Sequence, residues 1–297
     1  MKSTIRMAAA VLAPVLTAGV LAATPTAQAA PVTPLPSPAA AAASQWLAGQ
    51  LTNGLIHNNG YGGFDDYGLT VDTGLALIAT GTQPAALTTL TNALAANISN
   101  YVGDGTTSVY SGSTGKAAVF AKDAGRDPAS FGGRNLIAQL EGTVSTTAPI
   151  AGRIEDTSTY GDYANVLGQA WAVEALDRSG SAKSASATDF LLKQQCSEGY
   201  FRTYLTVDKT AVDQSCDGGK AASASDPSTD VTALAVITLS QHSQTPAVSA
   251  ALTKAKGWLA SAQAADGSWG GGAGTSTANS NSTGLATRAL TGTANAK

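Results

Sequence analysis

Acidic and tyrosine side chains recur in the polar segments that precede Ala-rich stretches of this 297-residue chain. Paired carboxylates, or a tyrosine acting as a base, transfer protons in polysaccharide lyases and glycosidases. An aspartate just before a helix is also a typical N-cap, worth about 1 kcal/mol. For each aspartate taken alone, helix capping is the favoured role, above all for Asp72 and Asp226. Taken together, the acidic and tyrosine residues are a candidate ligand site. Its members are Asp65, Asp66, Tyr67, Asp72, Asp156, Asp162, Tyr163, Asp226 and Asp230.

Residue counts argue against several other chemistries. The chain has two histidines and two cysteines, and His57 precedes both cysteines, so we expect no zinc or other metal site. It has no Gly-x-Ser-x-Gly motif and no complete phosphate-binding loop, and we expect no cofactor. Its 17 basic and 20 acidic side chains give a net charge of −3 with no basic cluster, which argues against a nucleic-acid partner.

The N-terminus has the pattern of a secretory signal peptide. Lys2 and Arg6 precede an apolar stretch, and Ala27-Gln28-Ala29 supplies a small-x-small cleavage pattern. We therefore expect residues 1–29 to be removed near Ala29-Ala30, leaving a secreted protein without a membrane span. Residues 30–43 are rich in proline and alanine and predict a linker, and residues 44–297 form the folded domain.

Cys196 and Cys216 are the only cysteines, twenty positions apart. Secretion places them in an oxidising compartment, where a disulfide is the expected state. Closing a loop of this length restricts the unfolded chain by roughly 3 kcal/mol. A metal-bound or nucleophilic thiolate is the less favoured alternative, since no histidine lies nearby in the sequence.

An internal repeat is the most informative feature. Five positions of residues 190–201 match residues 258–269 in type, each 68 positions later: an aromatic, an aliphatic, a glutamine, a glycine and a second aromatic. A weaker third copy begins at Trp46-Leu47. Ala-rich segments ending in glycine follow the copies and predict inner helices near 69–80, 161–178, 226–241 and 280–291. One such unit cannot bury its own apolar face, so about five units must stack between Ala39 and Ala289.

The run from Lys254 to Trp269 resembles the QW motif of the squalene cyclase and protein prenyltransferase repeat. The resemblance implies an all-α fold, an α/α toroid of inner and outer helices. About six hairpins close such a toroid, so an extra degenerate hairpin, an open ring and a truncated chain are three alternatives that stay open. In this family the motif ties outer helices to turns, which implies structural roles for Phe190, Gln195, Phe201, Trp258, Gln263 and Trp269.

The enzymatic motifs of the resembled family are absent from this sequence. Squalene-type cyclases protonate their substrate with a DxDD motif, which does not occur here. Prenyltransferases hold zinc with Asp, Cys and His, an order that His57 and the two cysteines cannot reproduce. The resemblance therefore implies a secreted, bacterial, non-catalytic branch.

Three functions follow from these patterns. The favoured one is a monomeric, secreted, non-catalytic module that binds a small or apolar ligand, or an extracellular partner. The second is a toroid enzyme, either a diverged isoprenoid cyclase or a carbohydrate-active lyase or hydrolase. The third is a structural protein of the cell envelope.

Overall fold

The chain forms eleven α-helices within residues 37–218, 226–272 and 274–293, the residues that the computed structural model describes. This predominance of helix confirms the predicted all-α class. The helices are α1 (Pro38–Gly49), α2 (Tyr67–Thr80), α3 (Pro84–Ala96), α4 (Ile98–Val102), α5 (Ser111–Asp123), α6 (Leu136–Thr143), α7 (Val166–Ser179), α8 (Ser184–Lys193), α9 (Thr229–Gln241), α10 (Pro246–Ser261) and α11 (Ser280–Ala289).

Short antiparallel strands occupy the connections. One sheet has the order β1 (Leu51–Thr52), β2 (Leu55–Asn58) and β3 (Phe64–Asp65), and a second joins β4 (Phe201–Arg202) to β5 (Pro227–Ser228). In the second sheet Phe201 lies opposite Ser228. These strands bring the turn after α1 next to the start of α2, and the turn after α8 next to the start of α9.

The first helix begins earlier than the sequence predicts. Pro38 stands in the first turn of α1, so residues 38–43 are helical and do not belong to the predicted 30–43 linker. Proline suits this position because its missing N–H has no helical partner to lose and its φ is already helical. The predicted signal peptide and residues 30–36 lie outside the described residues. No helix in the described ranges is both long and apolar enough to cross a membrane.

Five inner helices pack side by side in the order α2, α5, α7, α9 and α11. Four of them match the predicted inner helices, and the fifth, α5, contains the weaker signature around Thr114. Outer helices α3, α6, α8 and α10 each pack against the inner helix that precedes them, and α1 packs against α2. Within the described residues α2 and α11 make no extensive contact, so the inner helices form an arc of five hairpins.

Small residues set the spacing between α5 and α7. A Cβ added to Gly112 would lie 3.0 Å from the Cα of Gly168, and one added to Gly115 would lie 2.8 Å from the backbone nitrogen of Ala172. The two backbones therefore touch, and a larger side chain at either glycine would push the helices apart. The pairing also shows that the two helices run parallel.

The fourth residue of each inner helix bonds to a neighbouring segment. The hydroxyls of Thr70, Thr232 and Thr283 accept the backbone N–H of Ile56, Phe201 and Trp269, at 2.9, 2.9 and 3.0 Å. In α7, Gln169 accepts the N–H of Ile154 at 3.0 Å, and in α5 Thr114 accepts from the side chain of Gln139 at 3.0 Å. These bonds fix where the chain enters every inner helix.

The residues of the QW-like motif make structural contacts. Gln195 donates to the carbonyls of Gly199 and Ala251, both at 2.9 Å, and Gln263 donates to Gly267 at 3.0 Å. Buried Trp269 donates its indole N–H to Leu259 at 2.8 Å. Phe190 and Phe201 are buried in the main core.

Cys196 and Cys216 form a disulfide, as the sequence predicts, with their Cα atoms 4.9 Å apart. Both cysteines are buried with Tyr200, and Trp258 packs against this small cluster. The ring centroids of Tyr200 and Trp258 lie 5.5 Å apart. The repeat copy that begins at Trp258 therefore packs against the disulfide loop through this aromatic pair.

Candidate functional site

The inner helices are parallel, so their N-termini share one end of the arc, here called the amino end. Asp66 caps α2 by accepting the N–H of Leu69 at 2.8 Å, and Ser228 caps α9. Asp66 is the one predicted aspartate that is an N-cap, so the capping interpretation is wrong for the others, Asp72 and Asp226 included. Asp72 lies in the second turn of α2, and Asp226 precedes the cap because β5 continues to Ser228.

Apolar side chains are exposed at the amino end. Phe64 and Leu69 flank the start of α2, and Tyr163 and Leu167 flank the start of α7. Tyr163 is 68% exposed, which is unusual for an aromatic ring beside a helix entrance. Exposed apolar groups that collect in one place are typical of a binding surface.

An ion pair joins α2 to α5 behind these groups. The Lys116 ammonium lies 2.7 Å from the Asp72 carboxylate and donates to the carbonyl of Gly68 at 3.2 Å. Tyr101 lies near the Asp72 carboxylate and Lys116. Burial, and then the Asp72 carboxylate, raise the pKa of Tyr101 well above its ordinary value, although a hydrogen bond with Ser113 opposes the shift. Tyr101 is therefore a neutral hydroxyl in this cluster.

The same cluster lines a cavity of about 230 Å³ between α5 and α7, here called the aromatic cavity. Leu167 and Trp171 lie one turn apart on α7, and both are only partly covered. The volume suits a small ligand or one end of a longer one. Its main lining side chains are Tyr101, Tyr110, Ser113, Lys116, Asp156, Tyr163, Leu167 and Trp171.

Asp156 separates the aromatic cavity from a larger one. Its Oδ1 accepts the N–H of Ser111 at 2.7 Å, and its own N–H donates to Asp162 at 2.8 Å. On the other side of Asp156 lies a cavity of about 500 Å³, here called the polar cavity. Polar side chains dominate its lining, among them Gln139, Thr143, Ser145, Glu155, Thr157 and Lys209.

Asp162 holds this region together. Its Oδ2 lies 2.8 Å from the Lys209 ammonium and 3.3 Å from the guanidinium of buried Arg153. Burial acts to raise the pKa of Asp162, but hydrogen bonds from Lys209 and from the N–H groups of Asp156 and Ala164 outweigh it and bring the pKa below its ordinary value. Asp162 is thus a firmly ionised anchor.

The remaining predicted residues lie at the edges of the site. Asp65 faces His57, with 3.0 Å between the carboxylate and Nδ1, and the Tyr67 hydroxyl accepts from Asn100 at 3.0 Å. Asp226 lies near Tyr200, where its charge helps raise the pKa of that phenol after burial and two other carboxylates. None of these three lines the aromatic cavity.

Asp230 differs from the other aspartates. It lies in the first turn of α9, and its Oδ1 is buried without a hydrogen-bond partner. A Cβ added to Gly271 would lie 2.9 Å from its Oδ2 and 3.1 Å from the Ser282 hydroxyl, so the carboxyl faces the start of α11.

Metal ligands do not converge at the amino end of the described structure. The one grouping of such side chains in the described ranges is Cys196, Glu198 and Asp217, and its sulfur belongs to the disulfide. The sequence analysis did not propose Tyr101, Lys116 or Trp171 for the site. The available signal was a lysine and a tryptophan, each within an otherwise Ala-rich inner helix.

Solved structures share this architecture. The apo structure of the type II terpene cyclase MstE from Scytonema matches with a TM-score of 0.59 and 17% identity, over 85% of this chain and 70% of that one. The chain has the fold of a type II terpene cyclase. A variant of MstE in complex with geranylgeranyl dihydroxybenzoate, its substrate, matches with a TM-score of 0.60 at the same identity and coverage. A protein from Actinoplanes matches with a TM-score of 0.56 and 17% identity, over 84% of this chain and 74% of that one.

The terpene-cyclase likeness is one of fold alone. No family model matches the chain, and no curated protein matches it. MstE has also been solved with merosterolic acid A, its product, at 17% identity to this chain. Fold does not fix function, so the chemistry of this chain follows from its own side chains.

Proposed function

We propose that this chain is a secreted, non-catalytic module that binds a small amphiphilic ligand at the amino end. The apolar part of the ligand lies in the aromatic cavity, against Leu167 and Trp171. Its polar part lies beside Asp156 and extends toward the polar cavity. The substrate and product complexes of MstE support this placement only in so far as a protein of the same fold binds prenylated molecules.

The observation that carries the proposal is the way in which the amino-end carboxylates are partnered. Asp66 and Asp156 accept backbone N–H groups, and Asp72 pairs with Lys116. Asp162 pairs with Lys209. Such partners already occupy the carboxylate oxygens, whereas an acid that protonates an alkene must direct its proton at the substrate. These groups orient a polar ligand better than they donate protons.

A matched pair of tryptophan variants tests the site. Trp171→Ala removes an aromatic wall of the cavity, whereas Trp46→Ala removes a ring that is 64% exposed on α1. With geranylgeraniol as probe in calorimetric titration, Trp171→Ala weakens binding at least tenfold, because burying an indole contributes more than about 1.4 kcal/mol. Equal loss in both variants, or no saturable binding by the parent protein, would overturn the proposal.

A second candidate function is isoprenoid cyclisation, and Asp230 is the observation that favours it. Its Oδ1 is the one carboxyl oxygen in the described residues that is buried without a hydrogen-bond partner. Incubation of pure protein with geranylgeranyl or squalene substrates decides between the two functions. Cyclised product that is lost in Asp230→Asn and kept in Asp226→Asn would replace binding by catalysis.

Secretion is part of the proposal and rests on residues 1–29. The pattern of Lys2, Arg6 and Ala27-Gln28-Ala29 supports cleavage near Ala30. Expression with the full N-terminus in a bacterial host should give a culture-medium or periplasmic product whose sequence begins near Ala30. Native mass spectrometry of that product would show a monomer and any copurified ligand, and an uncleaved cytosolic chain would contradict this part.

A further inference from the structure

A separate cavity of about 410 Å³ lies at the opposite end of the inner helices, here called the carboxyl end. It is bounded by the last turns of α7 and α9 and by outer helices α8 and α10. Leu192 and Val248 supply apolar surface, and Ala182 and Ala185 narrow it. It shares no lining residue with the aromatic or the polar cavity.

The charges around this cavity are negative. Asp177 and Asp189 line it, and no lysine or arginine is among its lining residues in the described structure. Asp189 is exposed and forms no hydrogen bond or ion pair with the described residues. The C-terminal ends of α7 and α9 add partial negative charge from their last carbonyl groups. The electrostatic environment therefore favours a cation.

His242 adds a polar atom that lacks a partner. The residue is 8% exposed, lines the cavity, and has a buried Nε2 without a hydrogen bond. Its Nδ1 lies 3.4 Å from the Asp177 carboxylate, which favours the tautomer protonated at Nδ1. Burial lowers the pKa of His242 below its ordinary value even though Asp177 acts to raise it. In the neutral ring, Nε2 is then a hydrogen-bond acceptor.

Three of the hydroxyl groups that line the cavity are already hydrogen-bonded within the protein. Ser184 donates to Asp177 at 3.3 Å, and Thr188 donates to the carbonyl of Ser184 at 2.9 Å. Thr245 accepts the N–H of Val248 as the cap of α10. The groups that the cavity still offers are His242 Nε2, the carboxylates and the exposed hydroxyl of Ser243, all able to accept a hydrogen bond, beside an apolar wall.

We infer that the carboxyl-end cavity binds a primary alkylammonium ion, with the ammonium group beside Asp177, Asp189 and His242 and the alkyl part against Leu192 and Val248. An ammonium supplies three donors to a site whose free polar groups can all accept a hydrogen bond. A neutral alcohol of equal length supplies one donor and no charge, and an anion is repelled. The inference is independent of the ligand proposed at the amino end.

NMR of the imidazole groups tests this site directly, because the chain has only His57 and His242. A His57→Gln variant labelled with ¹³C-histidine leaves one imidazole signal, that of His242. Titration with n-butylammonium chloride should shift this signal saturably, whereas n-butanol and sodium chloride at equal concentration should not. Equal shifts with butanol, or a signal that does not saturate, would overturn the inference.

Variants test whether the ammonium lies beside Asp189, and whether this site is independent of the one at the amino end. Asp189→Asn keeps an exposed side chain of the same size, so it should fold normally and weaken butylammonium binding about two- to fivefold. Asp266→Asn, on an exposed turn far along the chain, is the matched control and should leave binding unchanged. Trp171→Ala should also leave it unchanged, whichever way the amino-end experiment comes out. Undiminished binding in Asp189→Asn would move the ammonium away from this carboxylate and contradict the assignment.

Discussion

The hairpins from α8 to α11, here called the repeat half, use their polar side chains differently from the segment α4 to α7, here called the cavity half. In the repeat half Gln195, Gln263 and Trp269 donate to backbone carbonyls and close each turn. In the cavity half the QW-like pattern is lost, and Lys116 and Asp156 border cavities between elements. At the turns where the repeat is kept, polar groups stabilise the backbone, whereas at the amino end of the cavity half, where the repeat decays, polar groups border space that a ligand can enter.

The largest expected contrast between the halves is the cost of losing a tryptophan. Trp269 is 1% exposed and hydrogen-bonded, so Trp269→Ala should lower the free energy of unfolding by about 3–5 kcal/mol. Trp171 is partly exposed toward the aromatic cavity, and Trp171→Ala should cost less than half as much. Urea unfolding followed by circular dichroism measures both, and equal costs would erase the distinction between the halves.

The disulfide is the next largest contribution to the repeat half. Its loop spans a sequence separation of 20, and opening it should lower stability by about 3 kcal/mol, because the unfolded chain regains conformational freedom. Thermal unfolding of the Cys196→Ser/Cys216→Ser double variant measures this loss. Intact-mass analysis after alkylation without reductant is the companion test, and two alkylated thiols in the parent protein would contradict the bridge.

A smaller effect is expected from the motif glutamine. Gln195→Met keeps the side-chain length but leaves two carbonyls without their donor, which should cost about 1–3 kcal/mol. Gln241→Met is the control, because Gln241 is exposed at the end of α9 and makes one long bond to the carbonyl of Ile237. A cost in Gln195→Met no greater than in the control would mean that the motif glutamine does not stabilise the turn.

The smallest expected effect is a dependence of stability on pH. Because burial lowers the pKa of His242, the unfolded chain takes up a proton near its ordinary value of 6.5 while the folded chain does not. Stability therefore declines as the pH falls from 6.5 towards the folded pKa. The ion-paired Asp162 loses its contribution only at lower pH, below its ordinary value of 3.8.

Melting temperatures between pH 7.5 and 5 measure this decline. It should vanish in His242→Gln and persist in His57→Gln, since His57 is exposed beside Asp65. Persistence of the whole decline in His242→Gln would assign it to other groups.

Repeat spacing predicted the helices well because it is a local signal. The inner helices α2, α9 and α11 begin within three residues of their predicted starts, whereas α7 begins at Val166 and not at 161, after the loop that Asp162 stabilises. The sequence did not predict that α1 begins at Pro38, because a proline-rich segment is compatible with an extended linker and also with the first turn of a helix.

The site was less predictable because it depends on contacts between distant segments. Asp72 meets Lys116 from another helix, and Asp156 meets Ser111 across 45 positions. Sequence spacing does not encode such partners, and they decide whether an aspartate caps a helix, pairs with a cation or is left without a partner. Asp72 and Asp226 were interpreted as caps for that reason, whereas Asp66 and Ser228 fill those positions.

The hydrogen bond at the fourth residue of each inner helix has a consequence for how the molecule opens. Every inner helix has its own hydrogen bond at this position, and it packs mainly against the inner helix before it and the one after it. Such an array behaves like a row of coupled units that can detach from its ends inward. Amide hydrogen exchange should therefore be slowest in α7, the middle one of the five inner helices, and should become faster stepwise toward α2 and α11.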